Sequence, residues 1–547
     1  MNKSLLCKML GLVAVLIGGS MIFSLPWALP ICGGDWRHEQ EGFIGLVGSI
    51  VICFAVGFGL RYLGRNGNSQ LFRKEAMAVV GLSWVLATVL GGLPYVLSAT
   101  YRTADERMST VDAMFESQSG FSTTGATVLT ELEDPALVPR CILFWRSSTH
   151  FLGGLGIIVL FVAILGQGSA GKALMRAEMP GPSHHTPQAR MQHTAWVLFL
   201  IYAGLNATLA GLLLLEGLSL FDALCHAFGT MATGGFSTYN ASVAHFATVP
   251  GLNGPVIEMT ITAFMLLAGT NFMLLYMIAI FKPRALLGDI EWRAYAGIIV
   301  VVTALVVGFG LYHHDFDQAG ADRASVGGKG APLAVADGDD QTEYSPPVGQ
   351  AVRYGLFQVV SIMTTTGFCS DDFDQYNSFA RGVLLLLMFV GGCAGSTGGG
   401  MKVIRHILFC KTLWLEVEQA FHPSVVRPLR LGGKPVEDQQ LRKNVLVYFG
   451  LILAIFAASW LMTITVEPNT TWTDHGHALE HKLIDAASAV AATLNNIGPG
   501  FGVVGATNNY SHFSAPSKIL FTWLMMIGRL EIFVILVLFV PGFWRNQ

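Results

Sequence analysis

Four short turns rich in threonine and glycine carry the chemistry that stands out along this chain. They are Thr123-Thr124-Gly125, Ala232-Thr233-Gly234, Thr365-Thr366-Gly367 and Asn496-Ile497-Gly498. Glycine adopts positive φ at no steric cost, so the carbonyl oxygens of successive residues can point to one side, and threonine hydroxyls add further oxygens. Because a ring of such oxygens can replace the hydration shell of a potassium ion, we predict that these residues together form one cation-binding ring.

A semi-apolar segment precedes each turn. The segments lie at 110–122, 218–231, 351–364 and 483–493, and they are shorter than the about 20 residues that a spanning helix needs. We therefore expect half-helices that enter a membrane and return. If they enter from the outer face, the partial negative charge at their C-terminal ends points at the turns and favours a cation there. Asp112 and Glu116 of the first half-helix then lie toward its positive end, and we interpret both as structural.

The composition is that of a membrane protein. Hydrophobic residues make up 52% of the 547 residues and charged residues 13%, which is typical of polytopic membrane proteins and excludes an ordinary soluble enzyme. Stretches long enough to cross a bilayer lie at 5–29, 43–62, 77–98, 141–168, 194–216, 255–281, 292–312, 381–401, 443–466 and 517–541. The predicted fold is an all-α polytopic membrane protein with ten transmembrane helices.

The order of spans, half-helices and turns predicts repeats. The expected units are two N-terminal helices at 1–76, pore repeat one at 77–168, repeat two at 194–281, repeat three at 292–414 with a polar periplasmic insert at 313–350, and repeat four at 443–547. A glycine recurs in the second helix of each repeat, at Gly154, Gly269, Gly392 and Gly528. One Thr-Gly pair would be an ordinary loop, but four in register favour four pseudo-symmetric repeats around one pore.

The turns in their wider context resemble those of a known family. The runs GFSTTGAT at 120–127, ATGGFS at 232–237, TTTGF at 364–368 and NIGPGFG at 496–502 look like the four filter loops of the Trk/Ktr/HKT superfamily of potassium transporters. The resemblance extends from about residue 77 to the C-terminus. The two extra N-terminal helices and the overall length resemble the bacterial Trk transmembrane subunit more than the shorter Ktr subunit.

The resemblance implies a function and partners. It implies potassium uptake through a filter, with potassium as the substrate and no cofactor in this chain. It also implies a homodimer with one pore in each protomer, coupled to a cytoplasmic nucleotide-binding regulatory subunit that carries the only nucleotide. No nucleic acid is expected as a partner.

A run of glycines interrupts the apolar stretch 381–401. Each glycine in a helix interior costs roughly 0.5–1 kcal/mol, so the run at 391–400 cannot remain regularly helical. A nucleotide site is excluded because no Gly-Lys-Ser/Thr follows the run. The resemblance implies an intramembrane loop that gates the pore beneath the filter. Its expected gate residues are Gly392, Gly395, Ser396, Thr397, Gly398, Gly399 and Gly400.

Two basic residues lie close to apolar sequence. Arg529 falls within the last apolar stretch, where a charge costs on the order of 2.5–3.5 kcal/mol, so it should face a water path or the bundle interior. The resemblance implies that Arg529 places positive charge beneath the filter; a structural ion pair with Glu531 or another acid is the alternative. Lys402 follows the glycine run, and we expect its ammonium to snorkel to the cytoplasmic interface.

Basic residues concentrate in alternate loops, which predicts the orientation. These loops, at 61–74, 169–193, 282–293 and 402–443, should be cytoplasmic, together with both termini, in a bacterial inner membrane. The loops 169–193 and 402–443 are the expected docking surface for the regulatory subunit.

The sequence bears on two alternative functions. A sodium- or proton-coupled symporter of the same superfamily stays open, although repeats in one orientation argue against the inverted repeats common in secondary transporters. An intramembrane enzyme is disfavoured, because His150, Glu258 and Asp485 belong to no recognisable catalytic motif.

Overall fold

The computed structural model describes most of the chain. The described residues are 2–65, 73–154, 156, 189–316, 348–422, 429–431, 434–436, 439–474, 476–530 and 532–545. Several predicted features lie outside them: the end of the span 141–168, most of the basic loop 169–193, most of the insert 313–350, Arg427 and Glu531. Within the described ranges the chain is mostly helical, as the sequence predicted.

Six helices in the described ranges are long and apolar enough to cross a membrane. They are Lys3–Met21 with the 3-10 helix Ile22–Ala28, Trp36–Leu63, Arg73–Leu97, Ala189–Leu215, Ile290–Tyr312 and Gln439–Val466. In the third helix, Arg73–Leu97, 67% of the most apolar segment is buried inside the protein, whereas in each of the other five helices at most 39% of that segment is buried. Those five helices therefore present apolar faces outward, as contact with lipid requires, while the third lies in the interior.

Three further apolar stretches are helical only in part. The helices that flank the interruptions are Gly254–Ala268 and Phe272–Ala279, Ser378–Leu387 and Val403–Phe421, and Ala515–Arg529 and Ile532–Leu536. The first pair bends by 106°, and the Asn271 side chain caps the second helix by accepting a hydrogen bond from the Met273 N–H. The interruption at the glycine run was expected. The sequence predicted one span at 255–281 and one at 517–541, and it did not anticipate the break within either of them.

A short helix precedes each of the four turns. These half-helices are Thr110–Phe121, Leu220–Met231, Val348–Met363 and Lys482–Leu494. In the first two, the side chains of Ser109 and Ser219 accept hydrogen bonds from the N–H groups of Asp112 and Asp222. This cap satisfies a free amide and sets a carboxylate at the positive end of the helix dipole. The local sequence Ser-x-x-Asp thus fixes where both half-helices begin.

Two buried apolar clusters pack around the half-helices. One joins the N-terminal helices to the first and fourth half-helices, with Leu5, Phe115 and Leu494 among its members. The other surrounds the second and third half-helices, with Ala227 and Phe357 in its centre. The remaining α-helices of the described ranges are Arg140–Gly154, Arg284–Gly288, Thr470–Thr473 and Pro541–Trp544, and the strands form two antiparallel pairs, Tyr101–Thr103 with Glu106–Arg107 and Leu429–Leu431 with Lys434–Val436. The four turns lie where the two clusters meet.

Candidate functional site

The four half-helices end in the same backbone geometry. The second residue past each helix is left-handed although it is not glycine: Thr123 (φ 52°), Thr233 (φ 54°), Thr365 (φ 60°) and Asn496 (φ 56°). The next N–H then bonds the carbonyl five residues back, in the pairs Thr124 to Ser119, Gly234 to Gly229, Thr366 to Ser361 and Ile497 to Ala492, at 2.8–2.9 Å. This is a Schellman cap. A left-handed non-glycine residue costs roughly 1–2 kcal/mol, so tertiary packing must hold all four in place.

A second left-handed residue follows two positions later in each turn. It is a glycine every time: Gly125 (φ 81°), Gly235 (φ 74°), Gly367 (φ 80°) and Gly498 (φ 96°). The second turn is therefore Thr233-Gly234-Gly235, one residue further along than the predicted Ala232-Thr233-Gly234. Gly234 corresponds to Thr124, and Ala232 to Ser122. The sequence alone does not show which of the adjacent glycines Gly234 and Gly235 takes the left-handed position, because only the backbone angles distinguish them.

The four turns close into a ring. A Cβ atom on Gly125 would collide with the carbonyl oxygen of Gly234, one on Gly235 with that of Thr366, one on Gly367 with that of Ile497, and one on Gly498 with that of Thr124 at 2.6 Å. Each turn thus lies against the carbonyl of the next, and the fourth returns to the first. The ring brings together all four predicted turns, which lie in separate parts of the sequence.

Buried polar side chains tie the turns to one another. The Asn496 amide donates to the hydroxyl of Thr124 at 2.9 Å, and the Tyr510 hydroxyl donates to the Gly498 carbonyl at 2.8 Å. His150 lies between the first two turns: its Nδ1 is 2.8 Å from the Gly120 carbonyl, and its Nε2 accepts the Phe236 N–H at 3.2 Å. Sequence reasoning missed these roles of His150 and Tyr510, because no local pattern links either to a turn.

The acids of the first half-helix have structural partners, in keeping with their interpretation. Glu116 pairs with Arg146 at 2.6 Å. It also accepts the Val128 N–H at 3.0 Å, which ties the residues that follow the first turn to the half-helix that precedes it. Asp112 accepts from Lys518 at 2.6 Å. Both carboxylates are thus engaged in holding the scaffold.

Two oxygens of the ring stand without a protein partner. The Thr123 hydroxyl and the Asn496 side-chain oxygen are buried and accept no hydrogen bond from any described residue. They belong to equivalent left-handed positions in neighbouring turns. Buried polar atoms are normally satisfied, so these oxygens are available to a ligand on the ring.

A cavity opens on one side of the ring. Its volume is about 720 Å³, and its lining includes the four left-handed glycines of the ring, Gly125, Gly235, Gly367 and Gly498. Glu131 and Glu133 also line it, and both contact Asn240 of the neighbouring repeat. Gly234 is not among the lining residues, in agreement with the corrected register.

The glycine run, residues 391–400 and called the glycine loop below, lies against the opposite side of the ring. The Gly399 N–H donates to the Thr365 hydroxyl at 2.8 Å, and a Cβ on Gly398 would approach the Thr364 carbonyl to 3.1 Å. The loop is also bonded to the bend of the second repeat, through Cys393 N–H to the Gly269 carbonyl at 2.9 Å and Phe272 N–H to the Gly395 carbonyl at 3.0 Å. Two of the predicted gate residues, Gly398 and Gly399, therefore lie against the third turn.

Charged side chains hold the glycine loop. The Glu291 carboxylate accepts the N–H groups of Ala394 at 2.7 Å and Ile404 at 3.0 Å. Arg529, the last residue of its helix, donates to the Thr397 carbonyl and to the carbonyls of Gly153 at 2.6 Å and Gly154 at 2.9 Å. Arg529 therefore joins the loop to the end of the first repeat.

Lys402 does not snorkel, so that prediction is wrong. Lys402 is only 1% exposed. Its ammonium donates to the Gly398 carbonyl and, at 3.4 Å, to the Gly399 carbonyl. The chain turns inward at Lys402 because the helix Val403–Phe421 begins only after it. Hydropathy alone gave no sign of this burial.

The recurring glycines of the second helices lie against the turns or the glycine loop. Gly154 packs on Ala232, Gly269 on Thr364, Gly392 on Gly269 and Gly528 on Leu494. Any side chain at these positions would displace the backbone that carries the ring.

Known proteins match this chain along its length. The family model of TrkH, described as a cation transport protein, matches residues 46–545. The chain is 34% identical over 554 residues to the Trk system potassium uptake protein TrkH of Escherichia coli strain K12, with 100% of both chains covered. It is 29% identical over 536 residues to the Trk system potassium uptake protein TrkG of the same strain, covering 96% of each. The crystal structure of the potassium transporter TrkH from Vibrio parahaemolyticus matches with a TM-score of 0.79 and 30% identity over 100% of both chains.

Proposed function

The chain belongs to the TrkH family of cation transport proteins, and from this premise we propose that it takes up potassium across a bacterial inner membrane through the ring of four turns. The observation that carries the proposal is the closed ring, in which each left-handed glycine lies against the carbonyl of the next turn. Potassium is the transported substrate, and this chain needs no resident cofactor.

The ring acts as a selectivity filter. Its ligands come from Thr123, Thr124 and Gly125, from Thr233, Gly234 and Gly235, from Thr365, Thr366 and Gly367, and from Asn496, Ile497 and Gly498. Left-handed backbone at alternate positions turns carbonyls toward one side, and the unpartnered oxygens of Thr123 and Asn496 add to the ligand set. The C-terminal ends of four half-helices add partial negative charge.

The architecture has ten transmembrane helices: two at the N-terminus and two in each of four repeats. Both termini lie in the cytoplasm. The cavity above the ring then faces the periplasm, where Glu131 and Glu133 raise the local concentration of cations.

The glycine loop and Arg529 form the barrier on the inner side of the filter. The support is their position: the loop bonds to Thr365 on the ring side, and the Arg529 guanidinium crosses from the loop to Gly153 and Gly154. A fixed positive charge in a narrow path repels a cation by several kcal/mol even at an effective dielectric constant of ~20.

Regulation comes from a cytoplasmic nucleotide-binding partner that docks on the basic loops 169–193 and 402–443 of a homodimer. An interface steered by charge weakens as salt rises. Neutralising Lys172, Arg176, Arg427, Arg430 and Lys434 together should abolish co-purification with such a partner, and retained co-purification would contradict this docking surface.

The test of the main proposal is potassium flux. The purified full-length chain in liposomes should accumulate potassium or a rubidium tracer, and it should restore growth at low potassium to cells that lack uptake systems. A chain that is folded and membrane-inserted but moves neither ion in both assays, with and without the regulatory partner, would contradict the proposed function.

A further inference from the structure

Lys402 binds backbone oxygens of the glycine loop in the manner of a bound cation. Its ammonium donates to the carbonyls of Gly398 and Gly399. An ammonium group is close in size and charge to a potassium ion, and both bind carbonyl oxygens well. The two carbonyls thus form a small site that a monovalent cation can also occupy.

This site lies directly beneath the ring. Gly399, whose carbonyl is one of the two acceptors, donates its own N–H to the Thr365 hydroxyl at 2.8 Å. Gly398, the other, lies close to the Thr364 carbonyl. The ammonium of Lys402 is therefore bound to backbone that is itself bonded to the third turn.

Arg529 binds the adjacent carbonyl of the same loop. Its guanidinium donates to Thr397, so two cationic side chains from separate elements bind three consecutive carbonyls, those of Thr397, Gly398 and Gly399. The arginine also holds two carbonyls of the first repeat, whereas the ammonium of Lys402 donates to two carbonyls of the loop itself. Arg529 anchors the loop; Lys402 fills its cation site.

We propose that Lys402 is a tethered cation that occupies a potassium-binding position on the glycine loop and keeps the inner exit of the filter closed until the loop moves. The inference rests on the proposed function. It assigns to the loop a binding site of its own, with the Gly398 and Gly399 carbonyls as ligands and a permeating monovalent cation as the competitor of the lysine.

Two variants test the proposal in the full-length chain in liposomes, with rubidium tracer leak measured in the absence of the regulatory partner. Lys402→Met removes the charge at similar length, and Lys402→Ala also removes the side chain's volume. Both should raise basal leak roughly 10-fold or more, since a like charge nearby opposes a permeating cation strongly in a low-dielectric path. Lys74→Met is the matched control, because that ammonium also binds a backbone carbonyl, that of Arg545, at 2.9 Å but belongs to none of the half-helices, turns or the glycine loop; it should leave leak unchanged.

A free amine separates a tethered cation from a merely structural lysine. Propylammonium applied to the Lys402→Ala variant should enter the vacated space and restore low leak, while it should not reduce leak through Lys402→Met, where the side chain fills that space. Unchanged leak in both variants, or raised leak in Lys402→Ala that propylammonium does not reduce, would overturn the inference. The main proposal fails separately, if wild type carries no potassium under any condition.

Discussion

The ring of turns and the glycine loop are both irregular, glycine-rich backbone, yet they are held in opposite ways. The ring repeats one Schellman geometry four times and closes by contact between its own backbone groups. The glycine loop occurs once, and the charged side chains Glu291, Arg529 and Lys402 hold it in addition to its backbone hydrogen bonds with Gly269 and Phe272. Moving a few side chains would remove much of what holds the loop, whereas the contacts of the ring involve all four turns at once. The difference favours a rigid filter beside a movable barrier.

The largest expected effect comes from breaking the ring itself. Gly367→Ser should lower the potassium-to-sodium permeability ratio about 10-fold or more, a change of ~1.4 kcal/mol, because its Cβ would collide with the Ile497 carbonyl at a left-handed position. Gly235→Ser should do the same if the corrected register holds. The ratio of rubidium flux to sodium flux in liposomes measures the selectivity of both variants.

The control for these variants is Gly382→Ser, in the helix Ser378–Leu387, where a Cβ meets nothing within 4 Å. It should keep the ratio of wild type. A ratio for Gly367→Ser equal to that of Gly382→Ser would mean that the turn glycines do not set selectivity.

The next effect comes from releasing the loop. Arg529→Ala, and separately a deletion within Gly395 to Gly400, should raise potassium leak without the partner roughly 10-fold, because a fixed charge close to the path opposes cations by several kcal/mol. Selectivity should change far less than in Gly367→Ser. Arg140→Ala is the control, since that guanidinium also binds a carbonyl, Gly33, at 2.8 Å. If leak stays low in both changed proteins while they remain folded, the barrier lies elsewhere.

A smaller effect tests whether side chains also support the ring. His150→Phe keeps an aromatic ring beside Phe236, stacked at 4.1 Å in the native protein, but loses the contacts with Gly120 and the Phe236 N–H. Because a hydrogen bond contributes about 1 kcal/mol, the potassium-to-sodium ratio should fall ~2- to 5-fold with basal leak unchanged. Increased leak at constant selectivity would place His150 with the barrier instead.

The smallest expected effect concerns a carboxylate at the rim of the ring. Asp374 accepts the Gly502 N–H at 3.1 Å, and burial, followed by the nearby charge of Asp372, raises the pKa of Asp374 to about 7. The folded protein therefore binds this proton more tightly than the unfolded chain, whose pKa for aspartate is about 4. Stability from this group is present below about pH 4 and is lost as pH rises toward about 7.

Asp374→Asn should flatten the dependence of the thermal unfolding midpoint on pH over that window, with Asp474→Asn, an exposed acid, as the control. A pH profile as steep in Asp374→Asn as in wild type would contradict the assignment. Selectivity at neutral pH should remain as in wild type, since the ring closes through backbone contacts.

Much of this arrangement could be read from the chain. The four turns, their half-helices and the glycine loop were each predicted close to where they lie, because apolar length, capping residues and glycine runs act locally. Prediction was less accurate at the second turn, where Gly234 was chosen over Gly235, and at the bend near Asn271. In both places several backbone paths satisfy the local sequence.

The class of molecule, the position of the turns and the presence of charge near apolar segments follow from the order of residues, because they depend on composition and on neighbours along the chain. The folded molecule was needed to see that the turns close on one another, that His150 joins two of them, and that Lys402 points inward to Gly398 and Gly399. The physical reason is distance along the chain: the ring joins Gly498 to Thr124 and Arg529 to Gly153, and no local preference specifies contacts between residues so far apart. Those contacts arise when the apolar clusters pack and bring the turns together.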